Sequence, residues 1–322
     1  MNVQTVAVLR GGPSEEYAIS MQTGAGVLEA LSDSPLQTKD IIITRNGQWL
    51  CGGYEKEPEQ ALFGVDVVFI ALHGAYGEDG TVQRILERFN IPYTGSAPYA
   101  SALAMNKVLA KDHLKDHGIK MGKHMRVTKE GVADPFVTAE GIARIFGPRY
   151  VVKPVSGGSS IGTTIAENPH MLGKVLKETL PEHDDLIVEE LITGREATVG
   201  ILENFRNEPL YKMPVIEIVP PKEAGFFAAE VKYTGETEEI CPGRFTKSEK
   251  AELARVAQEV HSTLGLRHYS RSDFIVTDDG IYFLEVNTLP GFTSQSLYPK
   301  AMQAVGGTFP ELVTHLIRQA TT

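Results

Sequence analysis

Apolar residues occur along the chain in short runs, which polar, glycine-rich turns separate from stretches with helical spacing. In the first hundred residues these patterns predict strands at 3–9, 39–44, 65–72 and 91–95, and helices at 15–31 and 80–89. Strands that alternate with helices are typical of a parallel sheet covered by helices. Ligands bind beyond the carboxyl ends of such strands. The glycine-rich segments 11–14 and 73–80 are therefore expected to flank one cleft.

The pattern changes after about residue 100, where strands follow one another in pairs. Helices are predicted at 103–118, 168–179, 246–264 and 308–319, and strands on both sides of the Gly/Ser loop near 156–162 and at 185–191, 196–202, 213–219, 272–276 and 281–287. The segment 220–242 has little regular periodicity. A loop of that length inside a compact domain is usually a functional lid or disordered. We therefore expect a mobile lid at about 220–243.

Length and charge narrow the classes of protein. The 322 residues are enough for two or three domains. With 31 basic and 41 acidic residues the formal net charge is -10 and there is no basic tract, which argues against a nucleic-acid partner. The apolar runs are far shorter than the ~20 residues that cross a bilayer, and the N-terminus lacks the pattern of a signal peptide. A cytoplasmic protein with no membrane partner is expected.

The strongest chemical signal lies near the C-terminus, on a predicted hairpin. Glu285 and Asn287 are two residues apart on one strand and share a face, and Asp273 lies on the strand before it. Such oxygen ligands suit Mg²⁺ that holds nucleotide phosphates. Asp273 reaches that face only through a loop of odd length, so we predict a three-residue loop at 278–280 with Gly280 in the left-handed conformation. A two-residue turn would require a bulge. In the competing interpretation these side chains only solvate an edge strand.

A second signal is the Gly/Ser-rich segment 153–162, which follows an apolar strand. Backbone N–H groups and hydroxyls at this density can turn towards an anion, although the segment lacks the GKS or GKT ending of a P-loop. The lysines Lys107, Lys153 and Lys232 become candidate phosphate contacts. A flexible hairpin is the alternative interpretation.

The segment 186–196 has the character of a hinge strand between two sheets. Its backbone groups could read an adenine edge, and Glu189 and Glu196 could accept hydrogen bonds from the adenine amino group and from ribose hydroxyls. An exposed acidic turn is an equally simple interpretation of this composition.

Taken together and in this order, the motifs resemble those of D-alanine–D-alanine ligases of the ATP-grasp superfamily over almost the whole chain. The matching motifs are VLRGGPSEE, FIALHGAYGEDG, PYTGS, VVKP with GGSSIG, VEELITGRE, EVKYTGETEEICP, SRSDF and LEVNTLPG. The resemblance implies a three-domain α/β and α+β fold in which two antiparallel sheets sandwich ATP. An N-terminal parallel-sheet domain would span 1–100, a central lobe 101–190 and a C-terminal lobe with the lid 191–322.

The resemblance also assigns roles to individual residues. ATP would be bound by Lys107, Lys153, Ser160, Glu189, Glu190, Leu191, Glu196, Phe226, Lys232 and Leu284. Catalysis would involve Glu16, Ser159, Tyr233, Arg271 and Gly291, of which Glu16 would bind the first ammonium group and Arg271 and the Gly291 N–H would stabilise an oxyanion. Asp273, Glu285 and Asn287 would ligate two Mg²⁺ ions, or Mn²⁺ in their place. His73 would lie near the first amino acid, and Ser296 and Leu297 would receive the carboxylate of the second.

The implied reaction joins two D-alanines at the expense of ATP, through a D-alanyl phosphate, to supply peptidoglycan synthesis. A homodimer is expected. The alternatives are a related ligase for D-serine or D-lactate, an L-amino-acid dipeptide ligase, a dinucleotide-binding oxidoreductase, and an ATP-binding regulator without activity. Two segments depart from the family pattern: Tyr17-Ala18 after Glu16, and Phe227-Ala228-Ala229 in the lid.

Overall fold

The computed structural model describes residues 3–158, 162–221, 237–293 and 296–322. Within these residues the longer strands form three sheets, one in the N-terminal part of the chain and two antiparallel ones beyond residue 120. Each sheet carries its own packed apolar cluster. The described part of the chain therefore contains three layered units, and one cavity lies between the sheets of the second and third.

The first sheet is mixed, although the sequence predicted a parallel one. Its elements are β1 (Thr5–Gly11), α1 (Tyr17–Ala30), β2 (Gln37–Ile43), β3 (Trp49–Cys51), β4 (Tyr54–Glu55), α2 (Pro58–Ala61), β5 (Val67–Ile70) and α3 (Thr81–Arg88). The order is β4-β3-β2-β1-β5, with β1 parallel to β2 and β5 and the short β3 and β4 added antiparallel. The predicted strand at 91–95 is wrong: it is reduced to one bridge between Tyr93 and Val68, next to Pro92, which has no N–H to donate.

The second sheet is a four-stranded antiparallel sheet. The elements of this part are α4 (Pro98–Met105), α5 (Lys107–Leu114), β6 (His124–Thr128), a 3-10 turn (Lys129–Gly131), α6 (Pro135–Ala143), β7 (Tyr150–Pro154), β8 (Thr164–Ala166), α7 (Pro169–Thr179) and β9 (Asp185–Glu190). The strand order is β6-β9-β7-β8. One helix had been predicted at 103–118, but Asn106 is extended (φ -87°, ψ 102°) and its side chain accepts a hydrogen bond from Leu109 N, which starts α5 as a separate helix.

The third sheet is the largest. Its part of the chain contains β10 (Arg195–Phe205), β11 (Glu208–Lys212), β12 (Ile216–Val219), β13 (Glu238–Ile240), α8 (Lys247–Thr263), β14 (Tyr269–Thr277), β15 (Gly280–Asn287), α9 (Leu297–Ala304) and α10 (Phe309–Ala320). The main order is β13-β12-β10-β14-β15, and β11 also pairs with β10. The end of the predicted lid segment is thus the edge strand β13, while residues 222–236 lie outside the described ones.

The hairpin between β14 and β15 corrects one prediction and confirms another. Thr277 pairs with Gly280, so the connection is the two-residue turn Asp278-Asp279 and the predicted three-residue loop is wrong. A bulge follows at Asp273/Phe274, which shifts the register by one residue. Asp273 therefore pairs directly with Glu285, and the predicted shared face is confirmed.

The C-terminal helices connect the outer units. The buried Leu312 and Leu316 of α10 belong to the same apolar cluster as Val6 and Val68 of the first sheet. Because the chain returns to the first sheet, the loop after β15 is held between the first and third units. No helix in the described part of the chain is long and apolar enough to cross a membrane.

Candidate active site

One large cavity lies between the second and third sheets, and eleven residues singled out in the sequence line it. They are Lys107, Lys153, Glu189, Glu190, Leu191, Glu196, Arg271, Asp273, Leu284, Glu285 and Leu297. These residues come from α5, β7, β9, β10, β14, β15 and α9, with Leu191 just after β9. Residues up to 190 positions apart in sequence therefore meet at one surface, as a binding site requires.

A buried cluster of lysines and glutamates forms one wall of the cavity. Glu189 lies between two ammonium groups: Lys111 Nζ is 2.8 Å from Oε1 and Lys153 Nζ is 2.6 Å from Oε2. Burial alone would raise the pKa of Glu189, but the two lysines outweigh it and hold the pKa far below its ordinary value. Burial would likewise lower the pKa of Lys153, but Glu189 and Glu285 outweigh it and raise that pKa. Both groups are therefore charged at neutral pH.

Glu285 connects this cluster to the hairpin. Its carboxylate lies 3.9 Å from Lys107 Nζ and 4.0 Å from Lys153 Nζ. Lys107 also donates a hydrogen bond of 2.6 Å to the carbonyl of Gly157, at the start of the Gly/Ser loop. Two ammonium groups from the second unit thus face a carboxylate from the third. A polyphosphate with a divalent cation would fit between such groups.

Asp273 is a carboxylate of the hairpin with several bonded neighbours. It accepts from Thr198 Oγ1 at 2.5 Å and from Asn287 Nδ2 at 3.2 Å. The guanidinium of Arg271 binds both of its oxygens, at 3.0 and 3.1 Å. Burial would lower the pKa of Arg271, but Asp273 outweighs it and raises that pKa. The predicted metal ligands therefore converge, with a permanently charged Arg271 directly beside them.

The end of β9 and the residues after it also line the cavity. The Glu190 N–H donates to Lys123 O at 2.8 Å and the Leu191 N–H to Arg149 O at 3.0 Å. Both residues line the cavity, together with Ile192. The Leu191 N–H is therefore already engaged, so the predicted contact of Leu191 with adenine would use its carbonyl oxygen or its side chain.

Glu16 lies where the first unit meets the Gly/Ser loop. A Cβ atom on Gly158 would come within 3.0 Å of Glu16 Oε2, and one on Gly74 within 2.8 Å. Gly74 also has a φ of 69°, which favours glycine. Only glycines leave room for the Glu16 carboxylate here, so these two loops pack around it.

Tyr17, the first residue of the departure after Glu16, has a closely packed ring. The guanidinium of Arg45 lies 4.5 Å from the centre of the Tyr17 ring, which is a cation–π contact. The same ring lies 2.9 Å from the position that a Cβ on Gly11 would take. Tyr17 therefore packs between β1 and the loop after β2.

His73 connects the first unit to the loop that follows β15. Its Nδ1 is 3.0 Å from Leu289 O and its Nε2 is 2.8 Å from Thr23 Oγ1. A carbonyl can only accept, so Nδ1 carries the proton and Nε2 accepts from the Thr23 hydroxyl. Burial lowers the pKa of His73. The neutral ring thus fixes Leu289, two residues before Gly291.

The residues predicted to bind the second substrate lie at the start of α9. Ser296 precedes Leu297, the first residue of this helix, and Ser296 Oγ lies 2.8 Å from the position that a Cβ on Gly291 would take. Thr293 binds the same hydroxyl through its N–H at 3.0 Å and shares a hydrogen bond of 2.8 Å between the two hydroxyls. The predicted oxyanion donor and carboxylate site are therefore adjacent.

Glu78 binds the same loop from the first unit. Its carboxylate accepts from the N–H groups of Gly74 and Leu289, at 3.0 and 3.1 Å, and from the Thr288 hydroxyl at 3.2 Å. Burial, together with the nearby charge of Glu16, raises the pKa of Glu78 from 4.5 to about 7. Glu78 thus joins the first unit to the loop after β15, and its pKa is raised.

This shift predicts a pH dependence of stability. Between pH 4.5 and 7 the unfolded chain releases the Glu78 proton while the folded protein keeps it, so stability falls as the pH rises. The full effect is about 3 kcal/mol, since one pH unit corresponds to about 1.4 kcal/mol. In chemical denaturation, the stability of wild type relative to Glu78→Gln should decrease across this window. The exposed Glu59→Gln serves as the control, and a constant difference for Glu78→Gln would contradict the shift.

Comparison with known proteins identifies the family. Residues 113–318 match the D-ala D-ala ligase C-terminus and residues 52–96 the D-ala D-ala ligase N-terminus. The chain belongs to the D-alanine–D-alanine ligase family. It is 40% identical over 319 residues to a D-alanine–D-alanine ligase of Geobacter sulfurreducens, which covers 98% of this chain and 93% of that protein. It is 42% identical to one of Syntrophotalea carbinolica, covering 98% and 96%.

The solved structures agree with the fold expected for this ligase family. The crystal structure of VanG D-Ala:D-Ser ligase from Enterococcus faecalis matches with a TM-score of 0.84 at 29% identity, covering 99% of this chain and all of that one. A parallel-based N-terminal sheet followed by two antiparallel sheets is the arrangement that the ATP-grasp resemblance implied. The predicted fold class is confirmed.

Sequence analysis missed three residues of this ligase site. Lys111, Glu78 and Thr198 each bind a predicted site residue or the loop that carries one. Glu78 belongs to the glycine-rich segment 73–80, which was available as a signal, whereas nothing in the local pattern marked the other two. Five predicted residues lie outside the described part of the chain, as does the departure at 227–229: Ser159, Ser160, Phe226, Lys232 and Tyr233.

Proposed function

We propose that this protein joins two D-alanine molecules into D-alanyl-D-alanine with ATP as co-substrate. The observation that carries the proposal is the convergence of Lys107 and Lys153 on Glu285, directly beside the paired Asp273 and Arg271, in the cavity between two antiparallel sheets. The relatives named D-alanine–D-alanine ligases span nearly the whole chain and support the choice of substrate.

The chemistry requires an activated carboxylate. An oxygen of the first D-alanine carboxylate attacks the γ-phosphorus of ATP, the bond to the leaving ADP breaks, and a D-alanyl phosphate results. Lys107 and Lys153 would hold the phosphate oxygens, and Glu16 would hold the ammonium group of the first D-alanine with neutral His73 beside it. The amine of the second D-alanine, as its free base, then attacks the acyl carbon and phosphate leaves.

The residues around the acyl carbon would stabilise the second step. Arg271 and the Gly291 N–H would donate to the oxyanion, and Ser296 with the N-terminus of α9 would bind the carboxylate of the second D-alanine. The N–H groups at a helix start carry partial positive charge, which suits this carboxylate.

A divalent cation fits the residues present. Asp273, Glu285 and Asn287 offer two carboxylates and an amide oxygen on neighbouring strands, and Mg²⁺ usually binds one or two carboxylates together with substrate phosphates. When bound, it would neutralise charge on the phosphate oxygens. We predict that two Mg²⁺ ions, or Mn²⁺ in their place, bind here.

Several predictions about the whole protein belong to this proposal. We propose units at 1–100, 101–190 and 191–322, the last with its final helix packed on the first sheet. A homodimer, a cytoplasmic location and a role in peptidoglycan precursor synthesis stay predictions.

The proposal is tested by phosphate release from ATP in the presence of D-alanine, L-alanine, D-serine or D-lactate, with identification of the product. We expect release with D-alanine, no dipeptide with L-alanine, and D-alanyl-D-alanine as the product. The structural match to a D-Ala:D-Ser ligase makes D-serine as second substrate the alternative. A mixed product with D-alanine and D-serine would favour that alternative, and absence of release with every substrate would reject the ligase proposal.

A further inference from the structure

Lys111 is a buried lysine that none of the motifs marks. It lies on α5 four residues after Lys107, so the two side chains share one face of the helix, and both line the cavity. Its side chain is only 2% exposed. A lysine is almost never buried to this extent unless it is paired, so the pairing of Lys111 requires an explanation.

The contact of Lys111 is Glu189, and Glu189 in turn contacts Lys153. The ammonium of Lys111 is 2.8 Å from Glu189 Oε1, while Lys153 takes the other oxygen at 2.6 Å. Burial lowers the pKa of Lys111, and Glu189 opposes this change. Glu189 is therefore shared between the ammonium groups of Lys111 and Lys153.

The charges of the cluster show how the contact of Lys111 with Glu189 affects Lys153. Lys107, Lys111 and Lys153 face Glu189 and Glu285, which leaves one positive charge in excess. Without Lys111 the cluster would be neutral, and the whole charge of Glu189 would act on Lys153. An anionic ligand would then have to compete with Glu189 for the Lys153 ammonium. Lys111 weakens this competition because its charge offsets part of the charge of Glu189.

We propose that Lys111 is a positioning residue for the nucleotide, which acts by holding Glu189 so that Lys153 stays available to the phosphates of ATP. The proposal rests on the proposed function, since it requires ATP in this cavity. Lys111 contacts Glu189 on the side away from Lys153 and need not touch the nucleotide. Its effect should therefore appear in nucleotide binding and depend on Glu189.

The test compares Lys111→Met with wild type and with Lys115→Met, which changes an exposed lysine just after the end of α5. We expect the KM for ATP and the Kd for ADP with Mg²⁺ to rise about tenfold or more in Lys111→Met, the change expected when one charge-assisted contact is weakened. The KM for D-alanine and kcat should change less than about threefold. Lys115→Met should match wild type.

The dependence on Glu189 is tested by a double-mutant cycle. In the Glu189→Gln background, Lys111→Met should cause no further increase in the Kd for ADP, because the charge that Lys111 offsets has been removed. If Lys111→Met alone does not fold, the double variant is compared with Glu189→Gln, and a further rise in the Kd for ADP would contradict the proposal. Thermal unfolding of each variant establishes that it is folded.

Three outcomes would overturn the proposal. An unchanged Kd for ADP in folded Lys111→Met would show that Lys111 does not position the nucleotide. Equal effects of Lys111→Met with and without Glu189 would show that it does not act through Glu189. Failure of the wild-type protein to bind ADP or ATP would instead reject the proposed function, and this inference with it.

Discussion

Arg271→Ala is expected to lower kcat for ligation at least about 10²-fold, because loss of one preorganised donor to an oxyanion typically costs 10²–10³ in kcat. The side chain is 17% exposed and lines the cavity, and its bidentate pairing with Asp273 fixes its orientation before substrate binds. The nucleotide contacts proposed for Lys107 and Lys153 remain, so the Kd for ADP should stay within about threefold of wild type.

Two controls separate this role from general damage. Arg271→Lys keeps the charge but loses the planar fork, and we expect it to recover only part of the rate. Arg255→Ala removes another paired arginine, which binds the exposed Glu252 on α8, and should leave kcat unchanged. Because Arg271 also binds Asp273, the Mg²⁺ dependence of each variant must be measured. Near-normal kcat in Arg271→Ala would reject the oxyanion role.

The shared face of Asp273 and Glu285 could be predicted from the sequence, but its cause could not. The even sum of the two positions required either an odd loop or a bulge, and the sequence motif Asp-Asp-Gly suggested the loop. The structure has a two-residue turn and a bulge between Asp273 and Phe274. A bulge depends on packing of the whole sheet rather than on a local residue pattern, so the sequence offered no signal for it.

The burial of charged residues is a second feature that could not be predicted from the sequence. Lys111 lies on a helix with charged neighbours, and a lysine in that setting is usually a solvated surface group. It is buried because β9 brings Glu189 against the same face of α5, about 78 residues later in the chain. Glu78 and Leu289 meet in the same way across 211 residues. Long-range pairings of this kind become visible only when the sheets are assembled.

Three of the charged residues predicted for the site share a different property. Lys153, Glu285 and Arg271 lie on apolar strands, where a charged side chain is exceptional and therefore informative. Each of them lines the cavity. A polar residue within an apolar strand must face a partner or a ligand, because unpaired burial is costly. Strand residues were thus easier to assign than helix or loop residues.

The second large effect is expected for Glu285→Gln, which keeps the shape of the side chain and removes its charge. Glu285 pairs with Asp273 across the hairpin and is 24% exposed to the cavity. If both carboxylates hold a divalent cation, the concentration of Mg²⁺ for half-maximal rate should rise at least about tenfold, and kcat should fall by about 10³, since charge stabilisation by a bound metal contributes several kcal/mol.

The charge of Glu285 also acts on Lys107 and Lys153, so the direction of the change in nucleotide binding distinguishes two roles. A carboxylate that serves only as a counterion competes with phosphates, and its loss should tighten ADP binding without Mg²⁺. If Glu285 is a metal ligand, its loss should in addition reduce the improvement in ADP binding that Mg²⁺ gives. We therefore expect ADP titrations to show tighter binding without Mg²⁺ and a smaller gain on its addition. Glu208→Gln, an exposed glutamate on β11, is the matched control. An unchanged Mg²⁺ dependence in Glu285→Gln would leave Glu285 as a counterion of the lysines and remove it from the metal site.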